Sequence, residues 1–335
     1  MKKRILVVAP GRGTYTKETL NYLARFNPNV VSFVKELDQW KKQTNEPTVS
    51  ELDQATTFKS HVHTKGENAS VLIFACSYAD FLNIDTQKYE IVAVTGNSMG
   101  WYTALVLAGA LNLENGYTLI NTMGSMMKDK IIGGQIIYPF TNEDWTYNLE
   151  TRQFILDLIN ECHQSRQGHV YPSIYLGGYL VIGGDQEGLS WLMKKLPSKE
   201  HFPFQLINHA AFHTPLMNEV STKAFRLLAE SLFENPKYPL IDGRGKIWQP
   251  HITNLNELYN YTLEHQVLAP YDFSKAIQVG IKEFAPEQIF LLGPGNTLGG
   301  SVGQILVNET WMGIHNKSDF QERQKTLPLL NSLGM

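Results

Sequence analysis

Gly96-Asn97-Ser98-Met99-Gly100 has the G-x-S-x-G spacing of a nucleophile elbow. The apolar run Ile91 to Val94 precedes it and predicts a buried strand, and the alanine- and leucine-rich stretch Met99 to Leu111 follows it and predicts a helix. On such a turn the serine hydroxyl stands exposed, and the helix amino terminus points main-chain N–H groups at negative charge developing on a substrate. Glycines flank the turn because a side chain there would block the close approach of strand and helix. The same five residues also describe a plain small-residue turn; the flanking strand and helix favour the nucleophile. A serine needs a base. His213, in Asn208-His209-Ala210-Ala211-Phe212-His213-Thr214-Pro215-Leu216-Met217, stands in a loop before a helical stretch, and on residue type alone His209 serves equally well.

The elements around these residues alternate between strand and helix. Ile5 to Ala9 is a continuous apolar run ended by Pro10-Gly11-Arg12-Gly13, the pattern of a parallel strand buried on both faces and leading into a glycine-rich turn. Thr16 to Gln43 reads as helical and polar, Ser70 to Phe81 as a buried helix, Tyr89 to Thr95 as a second buried strand, and Leu113 to Met127 as a further helix. From residue 134 the rhythm becomes strand (Gly134 to Phe140), helix (Leu149 to Cys162), strand (Val170 to Tyr175), strand (Tyr179 to Gly183), helix (Gln186 to Lys195) and strand (Phe204 to Ile207). That order, βαββαβ, is the split unit of ferredoxin-like domains. Phe290 to Leu292, before Gly293-Pro294-Gly295, supplies one more buried strand. The expected fold is α/β: a hydrolase-like parallel sheet flanked by helices, built from residues 1–130 and 209–335, with an inserted ferredoxin-like small domain at 131–208.

Bulk properties exclude several classes. The 335 residues carry a net charge of −3 and no basic run, so neither nucleic acid nor an anionic membrane is an expected partner. Cys76 and Cys162 are the two cysteines and form no CxxC, which suggests neither a disulfide framework nor a cysteine zinc site and fits a reducing, cytoplasmic setting. The apolar stretch after Met1-Lys2-Lys3-Arg4 is shorter than the core of a signal peptide, and no run approaches the ~20 apolar residues of a membrane span.

Four blocks, in order, resemble the malonyl-CoA:acyl-carrier-protein transacylase family. Pro10-Gly11-Arg12-Gly13 stands where that family has P-G-Q-G. Gly96 to Gly100, followed by Tyr102, Ala104, Leu105 and Ala108-Gly109, is similar to its G-H-S-L-G-E-Y-x-A-L-x-x-A-G block. Phe212 to Met217 resembles its histidine block, and Gly293-Pro294-Gly295 its late turn. The resemblance spans nearly the whole chain. It implies Ser98 as acyl-enzyme nucleophile, His213 as general base and then general acid, and the main-chain N–H groups of Arg12 and Met99 as oxyanion hole.

Departures from the pattern bear on selectivity. The family carries an arginine 25 residues beyond its serine, which pairs bidentately with the free carboxylate of a malonyl group. Here that count reaches Met123, and no arginine lies between Phe26 and Thr151. A buried malonyl carboxylate would lack its partner, so either the acyl group is neutral or another cation, with Arg12 the candidate, replaces the clamp. Asn97 replaces the histidine beside the nucleophile and Trp101 an acidic residue, both pointing to an altered pocket. Asp272 falls where a site glutamine is found; it would either orient His213 as in a triad or cap the helix from Ser274.

The resemblance thus implies ping-pong transfer of an acyl group from CoA or a carrier protein, through Ser98, to a phosphopantetheine thiol of an acyl carrier protein, without metal or redox cofactor; the missing arginine adds the expectation that malonyl is not preferred. Two alternatives stand beside it: an acyl-thioester hydrolase on the same fold, and a non-catalytic docking domain for carrier proteins.

Overall fold

A computed structural model describes residues 1–334. The larger sheet has the order β11-β10-β1-β2-β7-β8, from β11 (Leu330–Ser332), β10 (Gln288–Leu291), β1 (Lys3–Ala9), β2 (Tyr89–Gly96), β7 (Leu240–Ile241) and β8 (Ile247–Trp248). Its pairings are parallel except that of β7 with β8. The central strand β1 is fully buried from Ile5 to Ala9, as an unbroken apolar run demands of a strand covered on both faces. Helices Gly100–Leu107 and Phe273–Phe284 pack on this sheet, and Gly66–Leu82 packs on Leu113–Ser125. Helix Gly66–Leu82 is mostly apolar with no separate polar face and is buried almost throughout, consistent with its place between other layers.

The smaller sheet has the order β6-β3-β5-β4-β9, from β6 (Phe204–Gln205), β3 (Gly134–Pro139), β5 (Tyr179–Gly184), β4 (Val170–Leu176) and β9 (Tyr271–Asp272). The first four are antiparallel and carry helices Leu149–Gln164 and Gln186–Lys195, the ferredoxin-like unit the sequence predicts. Strand alternation gives the sheet two apolar faces. Ile136, Tyr138, Leu180 and Ile182 pack into a small core under those helices, whereas Ile137, Ile174 and Val181 face a cavity shared with the larger sheet. β9 adds a fifth strand, parallel to β4, and runs directly into helix Phe273–Phe284 on the larger sheet.

Two expected elements differ, and four short strands were not expected. Thr16 to Gln43 is not one helical stretch but short 3₁₀ turns at Lys17–Thr19 and Tyr22–Arg25, then helix Val34–Gln43. The buried Asp53 carboxylate accepts the amides of Tyr22 (2.9 Å) and Leu23 (3.0 Å), supplying partners a helix would otherwise provide, and Pro28 breaks the run that follows. The helix after Ser98 stops at Leu107, because the chain turns through Gly109 at φ +74°. The strands at β7, β8, β9 and β11 carry too few residues to show a period. No helix among the described residues is long and apolar enough to cross a membrane.

Candidate active site

The elbow is built by β1 and β2 lying side by side, with the Pro10-Gly11-Arg12-Gly13 turn and the Ser98 turn emerging from their carboxyl ends. Ser98 adopts φ +55°, a left-handed conformation that costs a non-glycine residue energy and lifts its side chain clear of the strand. A Cβ on Gly96 would collide with the Gly100 carbonyl, and one on Gly100 with that of Ala9. The Gly11 turn lies so close that a Cβ there would stand 2.9 Å from the Asn97 carbonyl. These contacts explain why small residues occupy the three positions.

His213 reaches the elbow from the other side. Its Nδ1 lies 2.5 Å from the main-chain oxygen of Gln266, and because a carbonyl only accepts, Nδ1 carries the proton. Nε2 is then a bare lone pair, and it accepts from the Ser98 hydroxyl at 2.7 Å. The ring is almost completely buried, and burial lowers its pKa from 6.5 to about 4, against the opposing effect of the Gln266 carbonyl. A neutral imidazole bonded to a serine hydroxyl is a general base in position.

Gln266 was given no role by the sequence, yet it ties the whole constellation. Its carbonyl orients His213, its side-chain amide donates to the Ser98 carbonyl at 3.1 Å, and its Oε1 accepts from Tyr102 at 2.7 Å. Tyr271, also unforeseen, packs its ring 5.5 Å from that of His213 and bonds the Gly96 carbonyl through its hydroxyl. Asp272 does not orient the histidine. It accepts the Lys275 amide at 2.7 Å as the amino-terminal cap of helix Phe273–Phe284, the other reading of that residue.

The main-chain N–H groups of Arg12 and Met99 have no acceptor among the described residues and flank the turn that carries Ser98. They have the character of donors held for a developing oxyanion. The Arg12 guanidinium is anchored by one nitrogen to the carbonyls of Thr64 and Asn208, both at 2.9 Å, while its buried Nε has no partner. Burial pushes its pKa down to about 10, which still leaves it charged at neutral pH, and Glu67 opposes that shift.

A cavity of about 370 Å³ opens on Ser98 between the two sheets. Arg12, Asn97, Met99 and Met123 line it together with Ser98 and His213, whereas Trp101 does not. Trp101 is fully buried beneath the elbow and donates to Thr262 at 3.1 Å, so its replacement of an acidic residue alters the core and not the pocket. His209 also lines the cavity, but its partner is Gln135 at 3.1 Å and not Ser98. No cluster of three or more His, Cys, Asp or Glu suited to a metal occurs among the described residues.

No family model matches the sequence. The malonyl CoA-acyl carrier protein transacylase of Haemophilus influenzae is 22% identical over 97% of this chain and 99% of its own length. Among solved structures, a malonyl-CoA:acyl carrier protein transacylase of Xanthomonas oryzae pv. oryzae superposes with a TM-score of 0.75 at 20% identity, covering 91% of this chain and 92% of the other. A malonyl-transacylase solved in complex with a type II polyketide synthase acyl-carrier protein gives 0.74 at 22% identity over 92% and 94%. The chain is thus similar in sequence from end to end to a malonyl CoA-acyl carrier protein transacylase, and it shares the fold of the solved transacylases.

Proposed function

We propose that the protein is a serine acyltransferase that moves an acyl group from a CoA or carrier-protein thioester to the phosphopantetheine thiol of an acyl carrier protein. The observation that carries this reading is the 2.7 Å contact between Ser98 and a neutral His213, made on a left-handed elbow beside two unpaired amides. In acylation His213 takes the Ser98 proton as Oγ attacks the thioester carbonyl. The tetrahedral oxyanion meets the Arg12 and Met99 amides, and the imidazolium returns the proton to the departing thiolate. The incoming thiol reverses these steps: His213 accepts its proton, the thiolate attacks the acyl-enzyme, and Ser98 leaves with the proton restored. The relatives named above are malonyl transacylases of carrier proteins, which supports the carrier-protein acceptor.

The acyl group is neutral in this proposal. Met123, the residue reached by counting 25 positions beyond Ser98 as for the family's carboxylate-binding arginine, is 3% exposed and presents an apolar side chain to the cavity. With holo acyl carrier protein as acceptor, kcat/KM for malonyl-CoA should not exceed that for acetyl-CoA. A strong malonyl preference would overturn the neutral-acyl reading, and its selective loss in Arg12→Ala would show that Arg12 had replaced the clamp. Acyl groups appearing as free acid in place of acyl carrier protein would make the protein a hydrolase instead.

A further inference from the structure

Four polar groups on the elbow side of the cavity have no hydrogen-bond partner among the described residues, and none of them takes part in the proton transfers above. They are Nε of Arg12, Oγ of Ser70, Oδ1 of Asn97 and Nε2 of His209. The first three are wholly buried, and a polar atom buried without a partner costs free energy unless something fills the site.

Their donor and acceptor characters can be worked out. The Phe212 carbonyl accepts from both the Ser173 hydroxyl (2.9 Å) and the Gln135 amide (3.3 Å), which fixes the orientation of the Gln135 side chain. The Gln135 oxygen therefore faces His209 Nδ1, which must carry a proton to donate to it. Burial and the nearby Arg12 charge hold the His209 pKa down at about 3, so the ring is neutral and Nε2 is an acceptor. The wall thus offers one cationic donor, one pure acceptor at His209, an Asn97 carboxamide able to accept through Oδ1 and donate through Nδ2, and one hydroxyl able to do either. The groups are neighbours: Arg12 is bonded to the Asn208 carbonyl, and a Cβ on Gly13 would lie 3.7 Å from His209 Nε2. On the other flank, a Cβ on Gly66 would lie 3.6 Å from Arg12 Nη1, and one on Gly124 would lie 2.7 Å from Ser70 Oγ.

A carboxylate can satisfy the guanidinium but sets its lone pairs against that of His209. A plain alkyl chain satisfies none of them. A hydroxyl accepts from Arg12 and donates to His209 or Asn97. Beyond these groups much of the wall is apolar, with Ile174, Leu176, Val181, Phe202 and Leu298 among residues that also include Thr14, Tyr179 and Ser301. Asn97 adjoins Ser98 in the chain, and the main chain of Arg12 offers one of the two amides of the proposed oxyanion hole, so two of the four residues also flank the reacting carbonyl. We infer that Arg12, Ser70, Asn97 and His209 form a recognition site for a hydroxyl on the acyl chain near its carbonyl, making the transferred group a hydroxyacyl group. This rests on the acyltransferase reading and specifies its substrate.

The test is a set of matched CoA thioesters, acetyl against glycolyl and butyryl against 3-hydroxybutyryl, with acyl-enzyme formation and transfer to holo acyl carrier protein both measured. The native protein should favour at least one hydroxyacyl substrate over its deoxy partner by about tenfold or more in kcat/KM, because leaving buried polar groups unpaired penalises the analogue. His209→Leu and Arg12→Met should each bring that ratio toward one. The ratio is internal to each preparation, so a partly unfolded variant does not distort it. Equal rates for hydroxyacyl and deoxy substrates in the native protein would overturn the proposal. So would a His209→Leu variant that loses both substrates equally, since its partner would then be the pantetheine arm they share. Failure of every thioester to acylate the protein would instead remove the acyltransferase reading beneath it.

Discussion

In the proposed reaction His213 acts as a base only while its imidazole stays neutral, and its burial favours that form. With the pKa lowered from 6.5 to about 4, protonation is resisted until the pH falls well below neutral. The acid limb of kcat/KM is therefore expected near pH 4 and not near 6.5; a limb at 6.5 would mean that His213 is solvated in the working enzyme. His213→Ala should slow acylation and deacylation alike, by ~10²–10⁴-fold, since one imidazole serves both half-reactions, whereas His209→Ala should slow turnover of acetyl-CoA far less. The residues of this pair were legible in the sequence as types, but the choice between two histidines four positions apart came from the resemblance. The partner of His213 was not legible at all. An acidic side chain at Asp272 is visible to a reader, whereas the actual acceptor is a main-chain oxygen that any residue could supply at Gln266.

At the scale of elements, the elbow depends on how closely β1, β2 and helix Gly100–Leu107 approach. Gly100→Ala would drive a methyl group into the Ala9 carbonyl, at the point where the Arg12 turn leaves its strand. Overpacking of this kind costs about 1–3 kcal/mol, so a lowered melting temperature is expected together with loss of acylation out of proportion to the folded fraction. Unchanged acylation would show that the turn tolerates displacement and does not set the geometry. The long elements were readable because their apolar periods run over many residues: β1, β2, Gly66–Leu82 and the ferredoxin-like unit all stand within a few residues of their expected places. What escaped were two- and three-residue strands. β9 shows no period, yet it joins the small sheet to helix Phe273–Phe284 and puts Tyr271 against His213.

For the molecule as a whole, the two sheets divide the work. The larger positions Ser98, the proposed nucleophile, and the Arg12 and Met99 amides at the carboxyl ends of β1 and β2, and the smaller closes the cavity with the apolar face its helices do not use. The hairpin between β4 and β5 is fixed to the larger unit by Ser274 on the Gly177 amide and Gln304 on that of Gly178, both at 2.8 Å. Neither bond announces itself in a sequence, because each joins residues about a hundred positions apart. The enclosure they create is what gives Ser98 a dry wall on one side and unpaired polar groups on the other. Everything proposed here depends on Ser98 carrying the acyl group. The most direct measurement is the intact mass of the protein after brief exposure to a panel of acyl-CoA thioesters, with peptide mapping of any adduct. One acyl group per chain, located on Ser98 and absent from Ser98→Ala, is the expected result; an adduct of undiminished yield on Ser98→Ala would contradict it.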